Sequence, residues 1–446
     1  MTNPTHEANR LYYLDWLRAV VILAAFIGHV ALPFAGGRWV ITSESFILIA
    51  GVILVVGNQF VIPTLFLISG AALTFSLGTR TTKRFISERV WRLLLPYVIG
   101  VLLLSTVQAY FSAVNQGVFQ GGFHHYVPQF FSPSRINRLD LSWIGVYGYH
   151  LWFLGFLFVF SLIMLPIHHF WQTPQGRRLN EWLVRLCQLR GGILVLGLPI
   201  GFLRVILGLY FGDYQSWADF VMWLCFVVYG YILFSEPRLQ AALQRDGGLI
   251  AATVLISAVG LLLIASATLF GVRGELSLSA IGTLRGAALA YVLSLLLISL
   301  NSWALVLLVL YSGKRWLNYG GKHWQYVSDA SLPFYILHHP IVVALAFYIL
   351  QVRNSSGVQF VLLLISGFVL TMALYQLVVR SNNWLRRAMG MRLLHAEEHI
   401  LRRRWLLLAR LILIIGLVIF AMLLHIGIQR TAELNANVDV LYAEPD

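Results

Sequence analysis

Two ionisable side chains stand in a run of residues otherwise suited to lipid: Arg18 and His29 within Asp15–Phe34 (DWLRAVVILAAFIGHVALPF). A charged group at membrane depth costs roughly 2.5 kcal/mol or more, so each needs a reason to be there. Eleven residues at about 100° each return to within about 20° of the starting face, about 16 Å further along the helix. Lipid would penalise both residues. The stripe Arg18, Ile22, Ala25, His29 is therefore expected to face the interior of a bundle. Asp15, three residues before Arg18, is placed to pair with it. Imidazole, with an unperturbed pKa near 6.5, suits a general base. The same positions also suit a snorkelling arginine and a histidine bonded between helices.

A second group is Ser87-Glu-Arg-Val-Trp-Arg-Leu-Leu-Leu-Pro96. Arg89 and Arg92 share a helical face, and Ser87 is an N-cap candidate. Two arginines at a helix N-terminus make a phosphate site, although the preference for cationic residues on cytoplasmic loops predicts arginines there too. Further histidines occur in His150-Leu-Trp-Phe-Leu154 and Ser331-Leu-Pro-Phe-Tyr-Ile-Leu-His-His-Pro340. His338 and His339 are adjacent, so only one is expected to share a face with His29. His395-Ala-Glu-Glu-His399 matches an inverted zinc-protease pattern. It lies in an arginine-rich stretch without a downstream acidic ligand, which favours an amphipathic surface segment and no metal.

The elements that must position these residues are membrane spans. Of 446 residues, 59% are hydrophobic and 11% charged, where a soluble domain carries about 25% charged residues. Apolar runs long enough to cross a bilayer lie near 14–34, 46–77, 92–112, 148–170, 192–211, 217–235, 248–271, 281–311, 330–350, 359–379 and 405–427. Pro63 is expected to kink or break the second. One set of connecting segments holds 22 Lys/Arg and the opposite set six, while Arg18, Arg204, Arg285 and Arg410 fall in or beside spans. That asymmetry puts the N-terminus in the cytoplasm, assigns the net charge of +14 to topology and excludes nucleic acid as a partner. The first span, with its arginine and histidine, reads as retained, not cleaved. Cys187 and Cys225 define no disulfide framework or thiolate cluster. The expected organisation is a membrane-embedded unit over 1–380, a basic cytoplasmic segment over 381–404, an extra transmembrane helix over 405–427 and an acidic tail over 428–446.

Six segments in order carry a resemblance: Arg10-Leu-Tyr-Tyr-Leu-Asp-Trp-Leu-Arg18, the Arg18–His29 spacing, Pro63-Thr-Leu-Phe-Leu-Ile-Ser-Gly70, Arg89-Val-Trp-Arg92, His150-Leu-Trp-Phe-Leu154 and Leu332-Pro-Phe-Tyr-Ile-Leu-His338. Over about residues 10–380 the chain resembles the acyltransferase 3 family of integral membrane O-acyltransferases, in the branch that includes glucan-modifying succinyltransferases. The resemblance implies an all-α, polytopic transmembrane bundle with a ten-helix core, here with an eleventh C-terminal helix. It implies transfer of an acyl group, acetyl or succinyl, from cytoplasmic acyl-CoA to a glycan hydroxyl at the outer face of a bacterial inner membrane. His29 carries over as the catalytic histidine, Arg18 as its partner, and Arg89 and Arg92 as an acyl-CoA-binding pair. His150, Trp152, His338, Ser69 and Asp15, all in matched segments, are acceptor-side or supporting candidates. His339 stands where glutamine is common in the family. No bound cofactor or metal is implied, acyl-CoA being a substrate. Beside this stand a transporter of a glycan, lipid or acyl compound, since membrane-buried charge also marks substrate pathways, and a structural subunit of an envelope complex, suggested by the extra helix and tail.

Overall fold

The structure, a computed structural model, describes residues 11–37, 39–43, 45–132, 142–211, 214–273, 284–352 and 354–394. Among the described residues all regular elements are helical. Nine helices among the described residues are long and apolar enough to cross a membrane: α1 (Tyr12–Phe34), α2 (Leu48–Leu77), α3 (Thr82–Asn115), α4 (Trp143–Gln172), α6 (Trp217–Ser235), α7 (Gly247–Ile264), α8 (Leu289–Trp316), α9 (His323–Ile349) and α10 (Ser356–Val379). A shorter apolar stretch, α5 (Gly192–Gly208), lies between α4 and α6. The chain is a multi-pass membrane protein. Outward faces keep large apolar side chains exposed, such as Leu48 and Val55 on α2 and Ile256 and Leu262 on α7, as lipid contact requires.

The ten spans expected before residue 380 thus correspond to α1–α10, with 192–211 realised as the short α5. Direction explains why α5 still counts. Phe66 stacks on Trp223 at 5.8 Å, and Thr74 Oγ1 donates to the Tyr231 carbonyl at 3.1 Å, so α2 and α6 run in the same direction. The chain must therefore change ends between α4 and α6, and α5 is the apolar segment that does so. The expected eleventh span at 405–427, the acidic tail and His395–His399 lie outside the described residues, as does Arg10.

Prolines inside the spans open the helices for bonds between them. A proline lacks the N–H that would bond the carbonyl four residues back. Of the two outcomes expected at Pro63, a kink or a break, the break does not occur: α2 is one continuous helix from Leu48 to Leu77. The carbonyl it frees, Gln59 O, takes the hydroxyl of Ser302 from α8. Pro340 on α9 likewise frees Ile336 O, which reappears below.

The closest packing joins α2 to α6. A Cβ built on Gly70 would lie 2.0 Å from Val227 O, and one on Gly230 would lie 2.0 Å from Leu67 O. Two backbones meet reciprocally where only hydrogen fits, the small-residue packing that membrane helices use in place of a hydrophobic driving force. Along the other side, α1 and α9 run parallel, from Tyr12 against Trp324 (5.2 Å between ring centroids) to Phe26 against Phe334 (5.5 Å).

One end of the bundle carries the short helices Pro174–Gln188 and Pro237–Arg245. Arg238 joins them, donating to Glu181 at 2.7 Å and to Glu236 at 2.8 Å. Those bonds hold the Glu236 carboxyl down to about 2. Arg245 donates to the carbonyls of Cys187, Gln188 and Leu189, closing the exposed C-terminus of the first short helix.

Candidate functional site

At that same end, α1, α2, α3, α4 and α9 surround a cavity of about 760 Å³. Its mouth carries Asp15, Arg18, Arg80, Arg89, Arg92 and Arg392. Arg18 donates to Asp15 at 3.3 Å, the pair expected from their spacing. Arg89 donates to Ser76 Oγ at 2.8 Å and lies over the Phe85 ring, while its buried Nε has no partner. Deeper in, the wall is Ile22, Leu65, Ser69, Phe153, Leu157 and Tyr335. A charged mouth leading to an apolar interior fits a ligand with an anionic head and a slender neutral arm.

Arg89 and Arg92 do not sit at a helix N-terminus. Residues Thr82–Arg89 are already helical, Ser87 lies inside that helix, and the element continues through a π-turn at Val90–Leu94. The expected N-cap is therefore corrected: with the chain hydrogen-bonded on both sides, no free N–H groups are offered, and the anion site is built from guanidinium groups alone. The π-turn belongs to a class of helix defect common at functional sites.

Beyond the apolar end lie four imidazoles, none of them in the cavity lining. His29 Nδ1 is 2.9 Å from His338 Nε2. His338 Nδ1 is 3.0 Å from Phe334 O, and His150 Nε2 is 3.1 Å from Ile336 O, the carbonyl freed by Pro340. His339 Nδ1 meets Gln108 Oε1, and Gln108 Nε2 donates to Leu104 O at 3.2 Å. A carbonyl only accepts, so for neutral rings these partners assign the protons. His338 carries its proton on Nδ1 and accepts at Nε2. His29 therefore carries its proton on Nδ1 and keeps a bare Nε2. His150 carries its proton on Nε2, and its buried Nδ1 has no partner.

Sequence spacing allowed one of His338 and His339 to reach His29. The structure brings both, with ring centroids at 5.1 Å and 4.4 Å. Adjacent helical side chains diverge by about 100°, and His29 enters the sector between them. His29 is half-buried, while His150, His338 and His339 are buried. No three His, Cys, Asp or Glu side chains among the described residues are placed to hold a metal ion.

The stripe on α1 points inward as expected: Arg18 and Ile22 line the cavity and His29 joins the imidazoles. Ser69 also lines the cavity, although its hydroxyl donates back to Leu65 O at 2.7 Å. Trp152 belongs to neither group. It stacks on Trp223 at 4.5 Å in an aromatic layer with Phe156, away from the cavity. Missed in the sequence were Tyr335, whose hydroxyl bonds the His150 carbonyl, Gln108, and Arg80 and Arg392 at the mouth. Tyr335 stood in a quoted motif; the others carried no signal beyond polarity or positive charge.

A family model described as an acyltransferase domain, acyltransferase 3, matches residues 11–379. The chain belongs to that family. This acyltransferase is 22% identical over 400 residues to "Glucans biosynthesis protein C" of Salmonella paratyphi B, covering 84% of this chain and 93% of the relative. It is 21% identical over 397 residues to the protein of the same name from Salmonella paratyphi A, with the same coverage. No solved structure matches the acyltransferase. The family match ends before Gly390, Met391 and Arg392, which nevertheless line the cavity. Gly390, at φ +67, lets that segment approach the α3 backbone, since a Cβ there would lie 2.7 Å from Arg92 O.

Proposed function

We propose that this membrane acyltransferase moves an acyl group, acetyl or succinyl, from acyl-CoA to a hydroxyl of a glycan, with His29 as general base. The observation that carries the reading is a guanidinium-mouthed cavity whose apolar end abuts four imidazoles, one presenting a bare Nε2. Phosphates of the donor bind at Arg89 and Arg92, supported by Arg18, and the pantetheine arm follows the apolar wall toward His29. His29 Nε2 takes the proton of the acceptor hydroxyl as its oxygen attacks the thioester carbonyl. The carbon–sulfur bond then breaks, and the CoA thiolate takes the proton from His29, leaving an O-acyl glycan and free CoA. The imidazolium formed midway keeps its Nδ1–H on His338 Nε2, a neutral acceptor in the place a carboxylate holds in serine-hydrolase triads. The relatives' printed name supports a glucan acceptor.

The orientation belongs to the same proposal: a bacterial inner membrane, the N-terminus and cavity mouth on the cytoplasmic face, the acceptor on the other. The charge asymmetry of the connecting segments supports it. The unit over 1–380 carries the chemistry, with 381–404 at the cytoplasmic surface, 405–427 crossing the membrane and 428–446 beyond it. The test uses the full chain in proteoliposomes, with labelled acetyl- or succinyl-CoA supplied to one side and a linear β-glucan oligosaccharide to the other. His29→Ala lowers transfer by about 10²–10⁴-fold, the usual contribution of a general base. Undiminished transfer by a folded variant removes His29 from the chemistry. Glucan flux without acylation favours the transporter instead.

A further inference from the structure

Gln108 is fully buried on α3, and both ends of its amide are hydrogen-bonded. Its Nε2 donates to Leu104 O, so its Oε1 faces His339 Nδ1 as an acceptor. Leu104 lies in the π-turn Val101–Ser105, where Thr106 Oγ1 also bonds the carbonyls of Leu102 and Leu103. A buried amide is costly unless bonded, and this one fixes which way an imidazole from a distant helix carries its proton. With Nδ1–H held by Gln108, His339 Nε2 is a bare lone pair. Among the described residues it accepts no hydrogen bond, and neither does His29 Nε2.

The two rings stand at 84° with centroids 4.4 Å apart. Behind His339, the His150 ring stacks at 4.6 Å and 6°, and Trp39 closes in at 5.6 Å, so the ring has little freedom to turn. One base suffices to activate one hydroxyl. A second acceptor nitrogen beside it, with no donor of its own, suits a molecule that brings two O–H donors together. A sugar with neighbouring hydroxyls does so and stays covalently one molecule; a simple alcohol, with a single O–H, does not.

We propose that His339, its tautomer fixed by Gln108, is an acceptor-binding residue: its Nε2 accepts a hydrogen bond from a second hydroxyl of the sugar whose first hydroxyl His29 deprotonates. Gln108 is then a positioning residue acting through His339. The inference rests on the acyl-transfer reading above and names the acceptor as polyhydroxylated.

The test measures, on the full chain, KM for a linear β-glucan oligosaccharide and KM for acyl-CoA. Gln108→Met keeps the side chain's length and loses the acceptor. It raises the glucan KM about fivefold, one neutral hydrogen bond's worth, and leaves the acyl-CoA KM in place. His339→Phe raises the glucan KM by about tenfold or more and leaves the acyl-CoA KM in place. His339→Gln returns an acceptor oxygen and recovers most of that loss. Equal shifts in both KM values, or His339→Gln no better than His339→Phe, would show that the ring only packs and would overturn the assignment. A wild-type chain that passes no acyl group from acyl-CoA to glucan overturns the acyl-transfer reading itself. Transfer that His339→Phe leaves with an unchanged glucan KM overturns the role of His339 alone.

Discussion

Replacing Gly230 by alanine adds one methyl group where α2 and α6 touch. Its carbon would stand 2.0 Å from Leu67 O, against about 3.0 Å for the tightest real contacts, so the backbones must separate by about 1 Å. Neither partner is a side chain that can swing aside. Overpacking of this kind costs about 1–3 kcal/mol. The displaced helix α2 carries Leu65, Ser69 and Leu73 of the cavity wall, and a 1 Å error in a reacting geometry can cost about 10²-fold in rate. Thermal unfolding in detergent, followed by tryptophan fluorescence, reads the first effect, and acyl transfer reads the second. Gly70→Ala meets Val227 O at the same 2.0 Å. One separation of the helices accommodates both methyls, so the double variant should lose less than the sum of the singles, with a coupling of about 0.5–3 kcal/mol. A Gly230→Ala protein with unchanged Tm and unchanged transfer, or strictly additive losses, would refute the backbone contact.

His338→Phe removes the acceptor that holds His29 Nδ1–H; kcat should fall by about 10²-fold with KM for both substrates held, because a mis-set tautomer damages the chemical step and not binding. His338→Gln, which keeps an acceptor, should lose less in the same assay. Arg89→Gln and Arg92→Gln each remove charge-assisted bonds worth about 1.5–3 kcal/mol, so KM for acyl-CoA should rise about 10- to 100-fold while the glucan KM stays put; equal rises in both would refute a donor-side role. The Glu236 carboxyl, held down to about 2 by Arg238, should stabilise the fold fully above its ordinary value near 4.5 and lose that contribution as pH falls from there toward 2. Tm measured over that range should drop more steeply for the native chain than for Glu236→Gln.

The spans could be read from the sequence because a bilayer demands long apolar runs, and all ten before residue 380 correspond to helices. Where the structure departed from expectation, the reason was local. Thr82–Arg89 is polar, so a hydropathy reading starts that span at residue 92; Phe85 packs inward and carries the helix back to Thr82, moving Ser87 from cap to interior. The Arg18–His29 relation was legible because both lie on one helix, whose geometry fixes their phase. The His339–Gln108 pair was not, since it joins residues 231 positions apart and the rotation of α3 against α9 is set by packing, not by either segment alone. The prolines fall between these cases. Sequence says which carbonyl each one releases; only the packed bundle says that Ser302 and His150 claim them.

The cavity ends against Phe153, Leu154 and Tyr335, with the imidazoles on the far side. Tyr335 lines the cavity on one side and is fastened by its hydroxyl to the His150 carbonyl on the other, so a thioester arm that reaches His29 has to pass this one ring, and the water of the recess meets it first.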